Sequence, residues 1–502
     1  MNRALAFVLS LSGALALHGC CWGPNAKTAT TSATAQPEAP AAEAPAWPAM
    51  PVPGPAPSFE VPSATSFTLA NGIPVTLVTT GAVPLVELQI NLGVGYAGDP
   101  KGKEGLAALT ADMLNEGAGD LDALGIEDAL QRLATDLSLG ADVDSSQVHL
   151  NALEDKLQPS LELLLSVLSE PTLAQADLDR VIEDRKRSLL AAKDDLPSVG
   201  RRVFNRILFG DGYHGRPGGG TEASLSSLTR KDVTSWHRDV WSPTNASLVV
   251  VSRMDQAAIQ PILDATLGTW TADAKAKTPE VDTTIAEKKS GVTVYWVDKP
   301  GQSQSYIRLG SQAPGFDAAT HHLRVLGNHP VGGNFTARIN MNLREDKGYT
   351  YGARSFFGAS RHAGFFGAAS SVRADATAAS ITEFLAEING ALGDKPVSDD
   401  EHARSVGSMV QAQPGNYERM SSVLSQFAHA DEMGYPDGYL QSAAERYSGT
   451  TREQAQAAFA EAVSGNDLAI IVVGDRAAAG PAVEELGFPI VAVDDEGMLL
   501  EE

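Results

Sequence analysis

The chain has 502 residues, of which 43% are hydrophobic and 20% are charged, so it is long and apolar enough to form several packed domains. Its 62 acidic residues outnumber its 38 basic residues, and the net charge of −24 argues against a broad basic face that binds nucleic acid. The two cysteines, Cys20 and Cys21, are adjacent and near the N-terminus. The remaining chain therefore cannot form a disulfide framework, a cysteine zinc site, an iron–sulfur cluster or a cysteine nucleophile.

Residues 1–19 are predicted to be a signal peptide of the lipoprotein type. Arg3 supplies a positive charge, an apolar run follows, and Leu-His-Gly precedes Cys20, an order that resembles a bacterial lipobox with lipidation at that cysteine. An ordinary secretory signal is the alternative. We expect an exported protein of the bacterial cell envelope, lipid-anchored to a membrane facing the periplasm. The outer membrane is favoured because Cys21, rather than an aspartate, follows Cys20.

The rest of the chain divides by composition and pattern. Residues 20–62 are rich in proline and alanine and are predicted to form an extended tether. Two α+β domains are predicted at 63–270 and 291–502, joined by a polar linker at 271–290. Each domain is predicted to be a mostly antiparallel β-sheet covered by helices.

The predicted elements follow the same order in both halves. The first half begins with a hairpin at Asn71-Gly72, and a strand, a helix in GLAALTADMLNEG and further helices follow before the buried strand NASLVVVS. The second half has strands in GVTVYWVD and QSYIRLGSQAP, a helix carrying INMNLRED, two more strands, helices, and the buried strand NDLAIIVVGD. The similar order indicates that one structural plan occurs twice.

Several fragments resemble the pitrilysin/insulinase family of zinc metallopeptidases, the inverzincins, and specifically its short two-domain chains that pair into dimers. The fragments are GYAGDPKGKEGLAALTADMLNEG, DDLP, FGDGYHGRPGGGTEAS, WSPTNASLVVV and VGGNFTARINMNLREDKGYTYGA. Their order and spacing cover nearly all of residues 64–490. The resemblance implies two homologous domains that form half of a clam-shell chamber.

The family's zinc site is degenerate in this chain. The family uses H-x-x-E-H on one helix, whose two histidines bind zinc and whose glutamate is the general base, and a distant glutamate is the third ligand. In family register these positions fall on Ala108, Ala111, Asp112 and Leu189. Asp112 alone does not hold zinc and is predicted to be a solvated or hydrogen-bonded helix residue. We therefore expect no metal and no catalysis from this chain alone.

A second set of family residues is present. Family members bring an arginine and a tyrosine seven residues apart to the active site, and the resemblance assigns these roles to Arg344 and Tyr351. The arginine would bind a peptide carboxylate or carbonyl, and the tyrosine would donate to the scissile carbonyl. Tyr349 is predicted to face the same side. The alternative is that Arg344 pairs with an acidic neighbour at the surface and Tyr351 lies in the core.

The resemblance implies a non-catalytic, substrate-binding subunit of a heterodimeric insulinase-like zinc peptidase of the cell envelope. Its partner would be a similar chain with intact H-x-x-E-H that carries the zinc, and its substrate a peptide or unfolded polypeptide. A structural or scaffold protein without a role in proteolysis is the alternative. An active peptidase with another metal arrangement is a third hypothesis, and the missing ligands count against it.

The Cys20→Ser variant is expected to lose lipid attachment and membrane association. The several acyl chains of a bacterial lipoprotein anchor a protein stably, whereas a single chain binds only marginally. Membrane fractionation and the mass of the mature N-terminus measure both effects, with Cys21→Ser as the matched control. Unchanged processing and membrane association in Cys20→Ser would identify an ordinary signal peptide.

Overall fold

The computed structural model describes residues 59–500. The predicted signal peptide, most of the predicted tether and the predicted lipidation site Cys20 lie outside the described residues. Within 59–500, none of the helices combines the length and the apolar character that crossing a bilayer requires.

The first domain contains eight strands and eight α-helices. The strands are β1 (Ala64–Thr68), β2 (Pro74–Thr79), β3 (Leu85–Leu92), β4 (Gly117–Ala118), β5 (Leu121–Asp122), β6 (Asp136–Ala141), β7 (Ser146–Leu153) and β8 (Ala246–Ser252). The helices are α1 (Leu106–Leu114), α2 (Ala123–Leu133), α3 (Leu157–Ser169), α4 (Gln175–Ala192), α5 (Leu196–Phe209), α6 (Glu222–Ser227), α7 (Arg230–Val240) and α8 (Gln256–Ala265).

The second domain contains six strands and eight α-helices. The strands are β9 (Thr293–Asp298), β10 (Gln304–Ala313), β11 (Thr350–Ala359), β12 (Gly364–Arg373), β13 (Ala469–Gly474) and β14 (Ile490–Ala492). The helices are α9 (His321–Asn328), α10 (Arg338–Asn340), α11 (Thr377–Leu392), α12 (Asp399–Ala412), α13 (Met420–Met433), α14 (Ala443–Gly449), α15 (Arg452–Ala462) and α16 (Arg476–Glu484). Two π-helical segments, His329–Gly333 and Met341–Asp346, flank α10.

The two large sheets share one strand order. The first sheet has the order β1-β2-β8-β3-β7-β6 and is antiparallel except between β2 and β8. The second has the order β11-β12-β10-β13-β9-β14 and is antiparallel except between β13 and β9 and between β9 and β14. The strands β2-β8-β3-β7-β6 thus correspond to β9-β13-β10-β12-β11. The predicted α+β fold of two similar, mostly antiparallel domains is confirmed.

Local sequence explains the simplest elements. The turn at Asn71-Gly72 joins β1 to β2, and Gly72 has a φ of +94°, which favours glycine. Along β7, buried and half-buried residues alternate, as expected for a strand with one face on the core. Every residue of β13 is buried, because both faces of this central strand are covered.

Each sheet is covered on one face by a helix from the other half of the chain. Helix α5 of the first domain packs on β10 and β13, where Val203 and Phe204 join a core with Tyr306 and Val473. Helix α13 of the second domain packs on β3 and β8. Its residues Val423, Leu424 and Phe427 join a core with Val78, Val249 and Val251. Through this reciprocal packing, the two domains complete each other's cores.

The segment 271–290 contains no helix or strand. It runs beside the end of α5, where the Tyr213 N–H donates to the Thr284 carbonyl at 3.1 Å and the Ala286 N–H to the Phe209 carbonyl at 3.4 Å. The connection between the domains is therefore fixed to the same helix that packs on the second sheet.

An ion pair joins the segment around α10 to α12. Arg338 Nε lies 2.7 Å from Glu401 Oε1, and Arg338 Nη2 lies 2.6 Å from Glu401 Oε2. The same guanidinium donates to the carbonyls of Lys395 and Pro396. Glu401 also accepts from the Ser398 N–H in a capping box at the start of α12. The hydrogen bond from Arg338 is the main cause that lowers the pKa of Glu401 to about 2.

The Glu401→Gln variant is expected to be less stable than the parent at neutral pH by about 1 kcal/mol, since solvent partly screens the pair. A carboxylate with a lowered pKa stabilises the fold above its usual pKa of 4.5, and this stabilisation is lost as the pH falls toward 2. The difference between variant and parent should therefore shrink below pH 4.5. Denaturant unfolding at a series of pH values measures it.

The matched control is Glu485→Gln, which changes an exposed glutamate without an ion-pair partner in the described range. This variant should match the parent throughout the pH series. An equal loss of stability in both variants at pH 7 would contradict a specific contribution from the Arg338–Glu401 pair.

Candidate functional site

The positions of the zinc ligands and general base lie on α1 and α4. Ala111 is fully buried in the core of the first domain, and Ala108 lies one turn before Asp112 on the same helix. The Asp112 side chain is 43% exposed, and its Oδ2 accepts from Arg185 Nε on α4 at 2.7 Å. Asp112 is therefore a hydrogen-bonded helix residue whose carboxylate is paired with a cation.

Leu189 lies one helical turn after Arg185 and packs against the core of the first domain. Aliphatic side chains at three of the four positions cannot ligate a metal ion, so these residues do not fit zinc. Within residues 59–500, no group of three or more histidine, cysteine, aspartate or glutamate side chains is arranged to hold a metal. An ion pair between Asp112 and Arg185 joins α1 to α4 here.

Arg344 and Tyr351 line one open cavity of about 880 Å³. Its walls are the start of α5, parts of β10, β11 and β12, and the two π-helical segments. The structure thus brings these two residues to a common space. None of the four degenerate zinc-site positions lines this cavity.

Arg344 is held on the second π-helical segment. Leu343 of this segment is buried, and Asn342 Nδ2 donates to Glu383 at 2.8 Å and to Glu387 at 2.7 Å, which fixes the segment to α11. The Arg344 guanidinium lies 4.6 Å from the centre of the Phe335 ring, and its Nε lies 3.1 Å from Glu345. The pairing with Glu345 matches the surface alternative, yet the same side chain also faces the cavity.

Tyr351 lies on an irregularity of β11. The register of β11 against β12 shifts between Thr350 and Ala353, and the shift is stabilised by Ser370, whose Oγ donates to Thr350 Oγ1 at 2.8 Å. Tyr351 is 93% exposed at this bulge. The alternative that placed Tyr351 in the core is wrong, because the bulge turns its ring away from the sheet.

Tyr349 precedes β11 and does not belong to the described lining of the cavity. The expectation that it faces the same side as Tyr351 assumed the regular two-residue alternation of a strand, and the register shift begins at Thr350. That expectation stays a prediction.

Sequence reasoning missed three arginines of the cavity: Arg201, Arg308 and Arg354. Arg308 lies between the fully buried Ile307 and Leu309 on β10. A charged residue within a buried strand was a signal that could have been recognised, since alternation places Arg308 on the opposite face from its two neighbours. No aspartate or glutamate belongs to the described lining of the cavity.

Comparisons with known proteins agree with this architecture. Residues 227–409 match the family model described as the peptidase M16 inactive domain. The chain is 23% identical over 294 residues to an uncharacterized zinc protease of Mycobacterium leprae, covering 57% of this chain and 64% of that protein. It is 22% identical over 282 residues to a Helicobacter pylori protein named a non-peptidase homolog, covering 56% of this chain and 63% of that protein. The chain therefore spans just under two thirds of the length of these relatives.

A solved structure shows the same fold over most of the chain. The crystal structure of a peptidase M16 inactive domain from Pseudomonas fluorescens matches with a TM-score of 0.73 and 21% identity, covering 82% of this chain and 98% of that one. The match to the family model begins at residue 227, so it includes neither α1 nor α4. Residues 227–409 thus match the inactive domain of peptidase M16, the family that the sequence fragments resemble, and the chain has the two-domain fold of solved peptidase M16 structures.

Proposed function

We propose that this chain is a non-catalytic, substrate-binding subunit of a peptidase M16 heterodimer. The observation that carries the proposal is the contrast between its two domains. The first domain has aliphatic side chains at three of four zinc-site positions, whereas the second domain keeps Arg344 and Tyr351 on an open cavity. A chain that served only as a scaffold would have no need for this pair at an accessible surface.

The chemistry of the two side chains suits the binding of a polypeptide. The Arg344 guanidinium can donate to a peptide carbonyl or carboxylate, and stacking on Phe335 restricts its orientation. Tyr351 has no hydrogen-bond partner among the described residues, and its exposed phenol can donate to a substrate carbonyl. A hydrogen bond placed where negative charge develops stabilises the transition state of acyl transfer.

The partner in this proposal is a second peptidase M16 chain with intact H-x-x-E-H. Zinc bound there would supply the activated water, and Arg344 and Tyr351 would hold the substrate carbonyl that is attacked. The degenerate zinc positions lie outside the cavity of Arg344 and Tyr351. In this proposal the two side chains therefore act on a substrate bound at the partner's zinc. The Helicobacter pylori relative named a non-peptidase homolog lends support to a non-catalytic role.

The location of the heterodimer in this proposal is the bacterial cell envelope. It depends on the signal-like segment 1–19 and on lipid attachment at Cys20. A membrane anchor at the end of a proline-rich tether would keep the pair near the membrane while leaving the folded body free to meet polypeptides.

The purified full chain is expected to bind no stoichiometric zinc and to cleave no peptide. Ala108, Ala111 and Leu189 cannot replace two nitrogen or oxygen ligands and a general base. Elemental analysis after dialysis against metal-limited buffer measures the zinc content. One tightly bound zinc per chain would contradict this prediction and would favour an active peptidase.

In the reconstituted heterodimer, Arg344→Ala and Tyr351→Phe are each expected to lower turnover by about 100- to 1,000-fold, the usual effect of removing one such hydrogen-bond donor. Neither variant should loosen the dimer or lower its melting temperature much, because both side chains are at least partly exposed. The measurements are peptide turnover and thermal melting with the intact H-x-x-E-H chain of the same organism.

The matched controls are Tyr349→Phe and Arg373→Ala, which remove the same kinds of group outside the cavity. Arg373 is exposed and pairs with Asp375 at 3.0 Å. Both controls should retain parental turnover. Full activity of Arg344→Ala and Tyr351→Phe would instead support the structural or scaffold role, in which the pair has no part in proteolysis.

A further inference from the structure

The cavity of Arg344 and Tyr351 carries a concentration of positive charge. Arg201 on α5, Arg308 on β10 and Arg354 on β11 line it together with Arg344, and no acidic residue belongs to its described lining. The chain as a whole has 62 acidic and 38 basic residues. Arg344 pairs with Glu345, which leaves three arginines at the cavity without a carboxylate partner in the described chain. Three such cations in so acidic a protein require an explanation beyond general surface composition.

Arg308 is the most constrained of these residues. Its side chain is 6% exposed, and its guanidinium lies 4.5 Å from the centre of the Phe204 ring, 5.2 Å from that of Phe356 and 5.4 Å from that of Phe365. Its Nε is buried without a hydrogen-bond partner, and no carboxylate of the described chain pairs with it. The aromatic faces stabilise the charge but leave the Nε–H without an acceptor.

The environment of Arg308 disfavours its charge. Burial is the main cause that lowers the pKa of Arg308, and repulsion from Arg201 and Arg354 adds to it, while the Tyr306 phenol offsets part of the shift. A buried cation without a carboxylate partner is costly to the fold. An anion entering the cavity would accept a hydrogen bond from the unsatisfied Nε–H and would reduce the repulsion among the arginines.

Two further arginines are available at the cavity. Between residues 59 and 500, no carboxylate lies within ion-pair distance of Arg201 or Arg354. Arg201 makes a long hydrogen bond of 3.4 Å to Ser198 Oγ, and Arg354 lies 5.8 Å from the centre of the Phe356 ring. The two exposed guanidiniums therefore have free donors toward the same space as Arg308.

The fold places these groups through the contact between α5 and β10. A Cβ on Gly200 of α5 would lie 2.6 Å from Cε1 of Tyr306, so the glycine lets this ring pack directly on the helix. One turn later, Phe204 packs against the Arg308 guanidinium. Arg201 projects from the turn between them. The register of helix against strand thus fixes the relative positions of the arginines.

We propose that this cavity recognises an acidic segment of the polypeptide substrate. The carboxylates of that segment would accept hydrogen bonds from Arg308, Arg201 and Arg354. The inference rests on the proposed function, which supplies a polypeptide as the ligand. A guanidinium presents a planar pair of donors that matches a carboxylate, and such bonds are strong where water is partly excluded. Several unpaired arginines favour a segment with more than one acidic side chain.

The test measures fluorescence anisotropy of labelled peptides with the purified full chain at low ionic strength. One extended peptide carries neighbouring glutamates, and its isostere carries glutamines; both have amidated C-termini. The acidic peptide is expected to bind on the order of 10- to 100-fold more tightly. This ratio should fall as salt is added.

Variants identify the side chains that cause the preference for the acidic peptide. The double variant Arg201→Gln/Arg354→Gln and the variant Arg308→Lys should each lower the ratio of the two affinities, the latter because lysine keeps the charge but not the planar fork. Thermal melting shows whether each variant is folded. The matched control is Arg373→Gln, which removes one positive charge outside the cavity and should keep the parental ratio.

Other outcomes would overturn the proposal. Equal affinity of the folded parent for the two peptides would refute recognition of acidic side chains. The proposal would also be refuted if Arg373→Gln lowered the ratio of the two affinities as much as the cavity variants do. A glutamine peptide with a free C-terminal acid that binds as tightly as the acidic peptide would assign the carboxylate to a chain end instead. If neither peptide binds, the proposed function fails as well, whereas binding without preference removes this inference alone.

Discussion

The structure depends on the reciprocal packing of one helix from each half on the sheet of the other half. Helix α5 covers β10 and β13, and helix α13 covers β3 and β8. A sheet with an uncovered apolar face is not stable in water, so neither half is complete by itself. The same contact builds the cavity, because α5 contributes Arg201 to its wall and Phe204 behind Arg308. Domain cohesion and the candidate binding site therefore arise from one interface, and a change in the angle of α5 would alter both.

The two domains differ in which of the family's active-site residues they retain. In the first domain, the ion pair between Asp112 and Arg185 connects the two helices on which the family's zinc ligands lie. In the second, the π-helical segments hold Arg344 and the glycines near it at the edge of the cavity. Gly332 has a structural reason to be glycine, since a Cβ there would lie 2.6 Å from the Ser355 backbone nitrogen. Gly332 therefore permits close packing within the fold, while Gly333 is exposed at the cavity.

Much of the fold could be predicted because its signals are local. The hairpin at Asn71-Gly72 and the buried strands β8 and β13 are encoded in short stretches, and their recurrence revealed the repeated plan. The site was only partly predictable. The bulge that exposes Tyr351 depends on hydrogen bonds from Ser370 on the neighbouring strand, and the grouping of Arg201 with Arg308 depends on packing between residues far apart in sequence. Such contacts between residues far apart in sequence produce no periodic pattern that could be recognised in the chain.

The reciprocal packing of α5 and α13 also constrains how the protein folds. The first half is synthesised before α13. Until α13 is present, the sheet face that carries Val249 and Val251 is exposed to solvent. Contacts between distant parts of a chain form slowly, and exposed apolar strands in the interval promote aggregation. The first half therefore reaches its native packing only after α13, in the second half of the chain, has been synthesised. Protection of the nascent first half from other chains is thus a requirement that the topology itself imposes.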